Sequence, residues 1–344
     1  MPDNFVSTPA LGLFNGHFNQ ALTNLLIETP QTGFIAPGLF PILPVLKQSD
    51  SYFIIDAKQR AWALNDDTRA PGTLGNIADY GLTYDTYMCA DHALVGFVPA
   101  EQYANADNPL QPEMDCVNDL AKKTALNEEY NAYAALVAGL STAAWADTAG
   151  TACTLDSVAG QTSIDPIAFL KAEIDAIRLK IGRNPNVLAM DQKVFNALAN
   201  HPAMVGRVTY TGTGSNPAQI TTQSIAQLFG LDDVLVSTAV LNSAVTGQNA
   251  SNAALWGKDM YLLYRNPSPA IRQPSTGYTI TWSSPNGVYG GTPIANKPAS
   301  LSQGWVVESW PEVKLKANYF RVQKYYTQKI VYASAGLRIT GAIS

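Results

Sequence analysis

The residues best suited to chemistry in this 344-residue chain are its three histidines, and their spacing argues against a shared site. They are His17, His92 and His201. A metal site built on imidazoles commonly places two of them a few residues apart on one helix, as in HExxH. No two histidines of this chain have such a spacing. We therefore expect each of them to have a structural or surface role.

Serine and carboxylate candidates give an equally weak catalytic signal. Ser215 follows Gly214, but no glycine closes a GxSxG nucleophile elbow and the lysine of a phosphate-binding loop is missing. Asp232–Asp233 suit a loop before a strand as well as they suit a carboxylate pair. Residues 66–67 and 105–108 carry acids and amides without the calcium-loop pattern, which favours solvated turns. The sequence thus predicts no catalytic, cofactor-binding or metal-binding site.

The composition indicates a chain whose surface is largely covered by other protein. Charged residues make up 14% of the chain, against about 25% in typical soluble domains. Abundant Tyr, Trp, Asn and Thr are in keeping with extensive contacts between subunits. A secreted β-protein of low charge is the alternative that composition leaves open. The net charge of −5 argues against a protein that mainly grips a phosphate backbone.

Cysteine usage and hydropathy narrow the cellular setting. Cys89, Cys116 and Cys153 form no CxxC pair and no disulfide framework, which fits a reducing compartment. No apolar run approaches the roughly 18 residues of a membrane span. The first four residues do not begin a recognisable secretory signal. We expect no membrane partner.

The most informative stretch lies between residues 36 and 98, where two long strand-like arms flank a polar turn. The first arm (52–64) alternates charged with small side chains, and the second (77–98) places Leu82, Tyr84, Thr86 and Met88 on one face. Residues 65–72 have turn chemistry. A two-stranded ribbon of this length is marginal in water by itself, so it must lie on another surface. We expect that surface to belong to a second subunit.

Three other segments surround this ribbon. Residues 1–49 form an arm, with a short amphipathic segment followed by proline-rich chain that is unsuited to a central strand. A helix over about 113–140 has acids in its first turn, which the helix dipole favours, and only a thin apolar stripe. We expect that helix to lie across a surface.

Alternating helices and strands over 165–282 predict a compact α/β or α+β domain. Asp165-Pro166 starts a helix that Gly182 closes. The remaining elements are helices over 192–200 and 222–229, strands over 187–190, 234–239, 255–264 and 278–282, and a β-rich segment over 305–343 with a turn at 333–336.

The order of these elements resembles the major capsid proteins of tailed bacteriophages, whose shell fold is named after phage Hong Kong 97. It runs from an extended arm through a long ribbon, a lone long helix and an α/β domain to a terminal β segment. Local strings are similar too: LFPILPV at 39–45, RAPG at 69–72, NADNPL at 105–110, GRNPN at 182–186, LFGL at 228–231, WGKD at 256–259 and PSTGYT at 274–279. Their order and spacing carry the resemblance, which covers nearly the whole chain.

The resemblance implies an α+β subunit with a Hong Kong 97-like capsid fold. Its parts would be an N-terminal arm (1–49), an extended β-hairpin loop (50–98), a peripheral domain with the spine helix (99–184), an axial domain (185–304) and a C-terminal β segment of the peripheral domain (305–344). The subunit would be a non-enzymatic structural protein that needs no cofactor and assembles into hexamers and pentamers of an icosahedral head around double-stranded DNA. Assembly would take place in the bacterial cytoplasm and end in the virion.

Scaffolding and portal proteins are further partners that the resemblance implies. Because this chain lacks a long charged helical N-terminal segment, scaffolding is expected from a separate protein or from a removed precursor region. Some family members crosslink through a loop lysine with a neighbour's asparagine and an assisting glutamate. Lys58 lies in the matching loop, but no residue of this chain could be matched to the asparagine or to the glutamate. Covalent crosslinking is therefore not predicted for this chain.

Intersubunit contacts are predicted from the ribbon and the arm. The predicted contact residues are Asp56, Lys58, Arg60, Trp62 and Arg69 of the ribbon and Phe18, Leu22 and Phe40 of the arm. The basic residues of the last segment are Lys314, Lys316, Arg321, Lys324 and Lys329. We favour their pairing with acids of a neighbouring subunit over the neutralisation of phosphates, because the chain is acidic.

Two functions of other classes remain open at this point. The abundance of Tyr, Trp, Asn and Thr also suits a carbohydrate- or surface-binding β-rich protein. A hydrolase of unknown substrate would use Ser215 or an aspartate pair.

Overall fold

The computed structural model describes residues 17–18, 33–54, 68–69, 71–72, 74, 83–106, 111–145, 154–156, 164–211, 220–244, 247–268, 275–282 and 305–344. The helices of these ranges are α1 (Ala36–Leu39), α2 (Ala100–Ala104), α3 (Pro112–Gly139), α4 (Pro166–Ile181), α5 (Gln192–Ala199), α6 (Pro202–Thr211) and α7 (Thr222–Phe229). The strands are β1 (His17–Phe18), β2 (Ile42–Val45), β3 (Ser49–Ile54), β4 (Thr83–Met88), β5 (Ala90–Pro99), β6 (Ser141–Ala144), β7 (Val187–Asp191), β8 (Asp233–Ser237), β9 (Val240–Asn242), β10 (Asn252–Ala254), β11 (Met260–Leu263), β12 (Gly277–Trp282), β13 (Val306–Glu312), β14 (Ala317–Ile330) and β15 (Gly336–Thr340).

A five-stranded mixed sheet forms the centre of the predicted α/β region. Its strand order is β6-β15-β11-β7-β8, with β11 antiparallel to both of its neighbours. Strand β7 is buried along its whole length. Leu188 and Met190 belong to one apolar cluster, and Val187 and Ala189 to another on the opposite face. The period-two alternation of side chains explains this split, and the sheet therefore has protein packed on both faces.

Helix α4 covers one face of this sheet and forms for local reasons that the sequence shows. The Asp165 side chain accepts a hydrogen bond from the Ile167 amide at 2.9 Å, and Pro166 occupies the first turn. Gly182 ends the helix with a φ of 69°, a left-handed conformation that glycine adopts without strain. Leu170 and the other apolar residues of α4 pack against β7. The predicted helix boundaries are confirmed.

A six-stranded sheet is organised around the 14-residue strand β14. The order is β1-β13-β14-β12-β2, and β5 also pairs with β14. On one face, Phe320 and Val322 of β14 pack together with Val117 and Leu120 of α3. The β-rich character predicted for the C-terminal segment is confirmed.

Helix α3 joins the two sheets. Its 28 residues correspond to about 42 Å of helix, and the predicted range of 113–140 is confirmed to within one residue. Val117 lies in the cluster under the six-stranded sheet, whereas Ala132 and Leu136 lie in a cluster of the five-stranded sheet. No helix in the described ranges, α3 included, is long and apolar enough to cross a membrane.

The proline-rich lead-in folds as an edge element. Residues 36–39 form the short helix α1, and β2 then pairs in parallel with β12 at the end of the six-stranded sheet. A proline within an edge strand interrupts no central ladder, which explains how Pro44 is accommodated. Within the predicted amphipathic segment, His17–Phe18 pairs with β13, and Leu22 lies outside the described residues.

The second arm of the predicted ribbon is divided between two sheets. Residues 83–88 pair with 49–54 as the predicted hairpin, but residues 90–99 pair with β14 in the six-stranded sheet. Strand β5 also approaches α3 closely: a Cβ at Gly96 would lie 2.7 Å from Cys116 Sγ and 3.2 Å from Leu120 Cδ1, so a larger residue there would require these side chains to shift. The ribbon root is therefore β3 with β4, and the strand after it belongs to the subunit body.

The sheets also group distant segments differently from the sequence-based division. Strand β15 and helix α4, assigned by sequence to the peripheral domain, pack with β7 and β11 of the predicted axial domain. Strand β12, assigned to the axial domain, lies in the six-stranded sheet. Helix α6 was not predicted; the His201 side chain caps its start by accepting from the Ala203 amide at 3.2 Å.

Candidate functional site

The ribbon root has one anchored face and one exposed face. Tyr52 and Tyr87 are buried against the six-stranded sheet, and the Tyr52 hydroxyl donates to Asp85 Oδ2 at 2.9 Å. The opposite face presents Tyr84 and Met88, which are 61% and 67% exposed. The sequence placed these two residues on one face, and that prediction is confirmed. The anchored tyrosines hold one face of the ribbon root on the body, while the other face is exposed.

A row of three aromatic rings crosses the outer face of the six-stranded sheet. Trp310, Tyr319 and Phe97 are direct cross-strand partners on β13, β14 and β5. Their rings stack at centroid distances of 5.8 Å and 5.6 Å. Phe97 is 58% exposed, and the neighbouring Val95 is 50% exposed. Exposed aromatic residues in register are typical of the centres of protein–protein contacts.

A charged pair supports this aromatic row. Arg321 donates through Nε to Glu308 at 2.9 Å and lies over the Trp310 ring, 5.6 Å from its centre. Glu308 is buried although it carries a carboxylate. The arginine thus satisfies a buried acid and holds the indole in place. The row is presented by a fixed platform, which lowers the entropy lost on binding.

The β13–β14 hairpin presents a second exposed apolar surface. Val313 and Leu315 in its turn are 84% and 63% exposed. Lys316 has a φ of 45°, which is costly for a residue with a side chain, and its carbonyl accepts from the Ala100 amide at 2.9 Å. A groove of about 320 Å³, lined in part by Tyr103 and Lys316, lies beside this turn. The hairpin tip is therefore held rigidly while its apolar side chains face solvent.

A buried carboxylate attaches the lead-in to the body of the subunit. Glu129 of α3 accepts hydrogen bonds from the Ile35 and Ala36 amides at 3.0 Å and 2.7 Å. It also accepts from Trp256 Nε1 at 2.7 Å. Burial raises the pKa of Glu129, while these three donors act in the opposite direction. This contact could not be predicted from the sequence, because Glu129 looks like an ordinary polar position of a surface helix.

The comparisons with known proteins come from sequence and from structure. No protein-family model matches the chain. The major capsid protein of Burkholderia phage BcepMu is 22% identical over 273 residues, which cover 75% of this chain and 81% of that protein. A phage-related protein from Bordetella bronchiseptica RB50 is 23% identical, with a TM-score of 0.67 over 96% of this chain and 99% of the other. A chain from the capsid of Cyanophage P-SCSP1u is 13% identical, with a TM-score of 0.59 over 98% of each chain.

The two structural matches span nearly the whole chain and the sequence match spans 75% of it, and together they decide the fold. The fold is that of the phage capsid proteins. The resemblance to tailed-phage major capsid proteins and the α+β class are therefore confirmed. The expectation of a structural protein rather than an enzyme is confirmed by the same similarities, because capsid proteins are structural proteins.

Within the phage capsid fold, the predicted contact residues have different positions. Asp56, Lys58, Arg60, Trp62 and Leu22 lie outside the described residues. Arg69 is exposed, as an intersubunit contact requires, and Phe18 belongs to the short edge strand β1.

Phe40 requires a correction. The sequence placed it on an arm that contacts a neighbour, but its side chain is fully buried within its own subunit. It packs against Gly277, where a Cβ would collide with the ring. The lead-in is thus part of the core at this point, and Phe40 is not a contact between copies.

Two of the five basic residues of the last segment also require a correction. Lys324 is paired with Glu128, and Arg321 with Glu308, in the same chain. Each of these two cations therefore forms an ion pair within its own subunit rather than with an acid of a neighbouring subunit. Lys316 remains exposed at the hairpin tip.

The residues considered for chemistry have structural surroundings where the structure describes them. Asp232 accepts from the Asn186 side chain, while Asp233 pairs with Arg265, so the two carboxylates do not act together. Ser215 lies outside the described residues. No group of three or more potential metal ligands occurs within the part of the chain that the structure describes.

Proposed function

We propose that this chain is the major capsid protein of a tailed phage. Two observations carry the proposal: the fold shared with the phage-related Bordetella protein over 96% of the chain, and the 22% identity with the BcepMu major capsid protein over 75% of it. In this proposal the subunits form hexamers and pentamers of an icosahedral head that encloses double-stranded DNA. Assembly takes place in the bacterial cytoplasm with scaffolding and portal proteins, and the shell becomes part of the virion.

The parts of the subunit take the roles that the resemblance implies, with the two domains divided by sheet rather than at residues 184 and 304. The five-stranded sheet and its helices form the axial domain, which surrounds the centre of each capsomer. The six-stranded sheet forms the peripheral domain, and α3 is the spine helix between them. The observed packing of α3 against both sheets supports these roles.

The main contact between copies joins the ribbon of one subunit to the aromatic row of the next. The exposed face of the ribbon root carries the large side chains of Tyr84 and Met88 among small hydroxyl residues, and the row presents the rings of Phe97 and Tyr319. Asp56, Lys58, Arg60, Trp62 and Arg69 are proposed to extend the same contact outward along the ribbon. Low overall charge supports this arrangement, because it leaves few charges to desolvate when surfaces meet.

A shell needs only modest energy from each such contact. A closed lattice repeats the same heterologous contact many times, and a subunit held by several neighbours gains from their effective concentration. Weak individual contacts also allow misplaced subunits to leave.

The Phe97→Asp variant tests the proposed function at the contact itself. We expect a folded subunit whose concentration threshold for assembly rises at least about tenfold, since central aromatic residues often contribute 2 kcal/mol or more. Sedimentation velocity over a concentration series measures the threshold, and circular dichroism checks the fold.

The matched control is Leu179→Asp, at an apolar residue of α4 that is 76% exposed and lies away from the row. It should assemble at the concentration of the parent chain. If the Phe97→Asp variant assembles at the same concentration as the parent chain, the aromatic row is not part of the contact between copies.

A further inference from the structure

A cluster of charged and aromatic side chains lies between α3 and the six-stranded sheet. It consists of His92 on β5, Lys324 and Tyr326 on β14, Glu128 on α3, and Trp305 before β13. His92 is the direct cross-strand partner of Lys324, and its ring stacks on Tyr326 at a centroid distance of 4.1 Å. We refer to these five residues as the His92 cluster.

The cation of the His92 cluster is fully enclosed. Lys324 is 2% exposed, and its Nζ lies 2.7 Å from Glu128 Oε1. The same Nζ lies 5.1 Å from the ring centres of both Trp305 and Tyr326. Asn131 of α3 donates to the Tyr326 hydroxyl at 2.9 Å and fixes that ring. One cation and one anion thus balance each other while His92 is neutral.

The surroundings of His92 favour this neutral form. Burial lowers the pKa of His92, and Lys324 acts in the same direction. Asp91 on the same strand, Glu128 on the facing helix and a hydrogen bond with the Tyr326 backbone oppose that effect, without reversing it. These are the titratable and charged groups that face the imidazole from β5, β14 and α3.

We propose that His92 is a proton-sensitive element that controls how firmly the start of β5, which directly follows the ribbon root, is held against α3. Protonation places a second cation directly opposite Lys324, and like charges at facing positions of a strand pair destabilise the pair. Glu128, which already pairs with Lys324, is one of the two carboxylates that act on His92, and Asp91 is the other. Because Lys324 is enclosed and already paired, His92 is the cation that must move.

The movement of His92 is transmitted to the ribbon. Strand β5 begins at Ala90 and follows β4 after the single residue Cys89. A loss of pairing at residues 90–92 therefore changes the direction in which β4 leaves the body. The consequence for contacts between copies rests on the proposed function, whereas the effect on the isolated subunit does not.

The sign of the pH dependence follows from the lowered pKa of His92. An unfolded histidine titrates near 6.5, so the unfolded chain binds the proton more readily than the folded one. The contribution of His92 to stability is present above that pH and is lost as the pH falls through the folded pKa. Mild acid should thus loosen this contact first.

Hydrogen exchange of the full chain at about pH 7.5 and about pH 5.5, corrected for intrinsic rates, tests the proposal. In the parent chain we expect a several-fold loss of amide protection in acid at residues 90–94 and 323–326. His92→Phe keeps a stacking ring without a titrating group, and it should abolish the acid effect. The control His17→Gln should retain it. An equal acid effect in His92→Phe would overturn the proposal.

Nuclear magnetic resonance of the parent chain provides a test that needs no variant. The His92 ring should titrate below the pH of a free histidine, together with shifts of the Tyr326 amide. Titration at or above about 6.5 would overturn the proposal. Since both readouts use the isolated subunit, a parent chain that formed no shells would refute the proposed function and leave this result intact.

Discussion

Removal of residues 56–77 will give a folded subunit that forms no shells. The deletion takes out most of the ribbon but keeps the paired strands β3 and β4 that root it. The anchoring tyrosines Tyr52 and Tyr87 also remain. Neither sheet of the body depends on the deleted residues for its described strand pairing. The subunit should therefore keep its stability while it loses one half of its contact with a neighbour.

The measurement combines a thermal unfolding transition with sedimentation under conditions in which the parent chain assembles. A matched control replaces residues 56–77 by a Gly/Ser chain of equal length, which restores reach but not the side chains. That control should also fail to assemble, because the ribbon acts through its residues and not only its length. Normal shells from the deletion would refute the role of the ribbon.

Glu129→Ala will be the most destabilising single substitution that we predict. It leaves the Ile35 and Ala36 amides and the Trp256 indole N–H without their acceptor inside the protein. Each buried donor without an acceptor costs about 1–3 kcal/mol, so the free energy of unfolding should fall by at least about 3 kcal/mol. Urea titration followed by circular dichroism measures this change.

Asp119→Ala is the matched control for this prediction. Asp119 lies on the same helix and pairs with Lys123 at 2.6 Å, but both side chains are 61% exposed. An exposed pair of this kind contributes at most about 1 kcal/mol. Similar losses in the two variants would show that Glu129 does not hold the lead-in to the body.

Helices and strands whose ends depend on nearby residues of the chain could be predicted from the sequence. Helix α4 carries its start and stop signals in Asp165-Pro166 and Gly182, and these determine its ends whatever the rest of the chain does. The length of α3 and the hairpin of the ribbon root were predictable for similar reasons. Alternation along β4 was enough to place Tyr84 and Met88 on the same face.

Strand partners could not be predicted, because alternation shows which face a side chain takes and not which strand lies beside it. Strand β5 looked like a continuation of β4, yet it pairs with β14, more than 200 residues away in the chain. The aromatic row exists only because that pairing brings Phe97 beside Tyr319. The same long-range register creates the contact between His92 and Lys324.

Burial of polar and apolar groups against distant segments explains the remaining errors. Phe40 lies between prolines, which favoured an exposed arm, but the absence of a side chain at Gly277 provides space for its ring. Glu129 and Lys324 have side chains that usually remain in solvent. Each is buried here because a specific partner satisfies its charge or its hydrogen bonds.

Electron microscopy of the purified full-length chain, alone and coexpressed with a scaffolding protein, tests the central claim most directly. We predict closed icosahedral shells or rings of six or five subunits. The Phe97→Asp variant, imaged in parallel at a concentration just above the threshold of the parent chain, should remain as single subunits. Uniformly monomeric particles of the parent chain under both conditions would contradict the proposal that this protein builds a phage head.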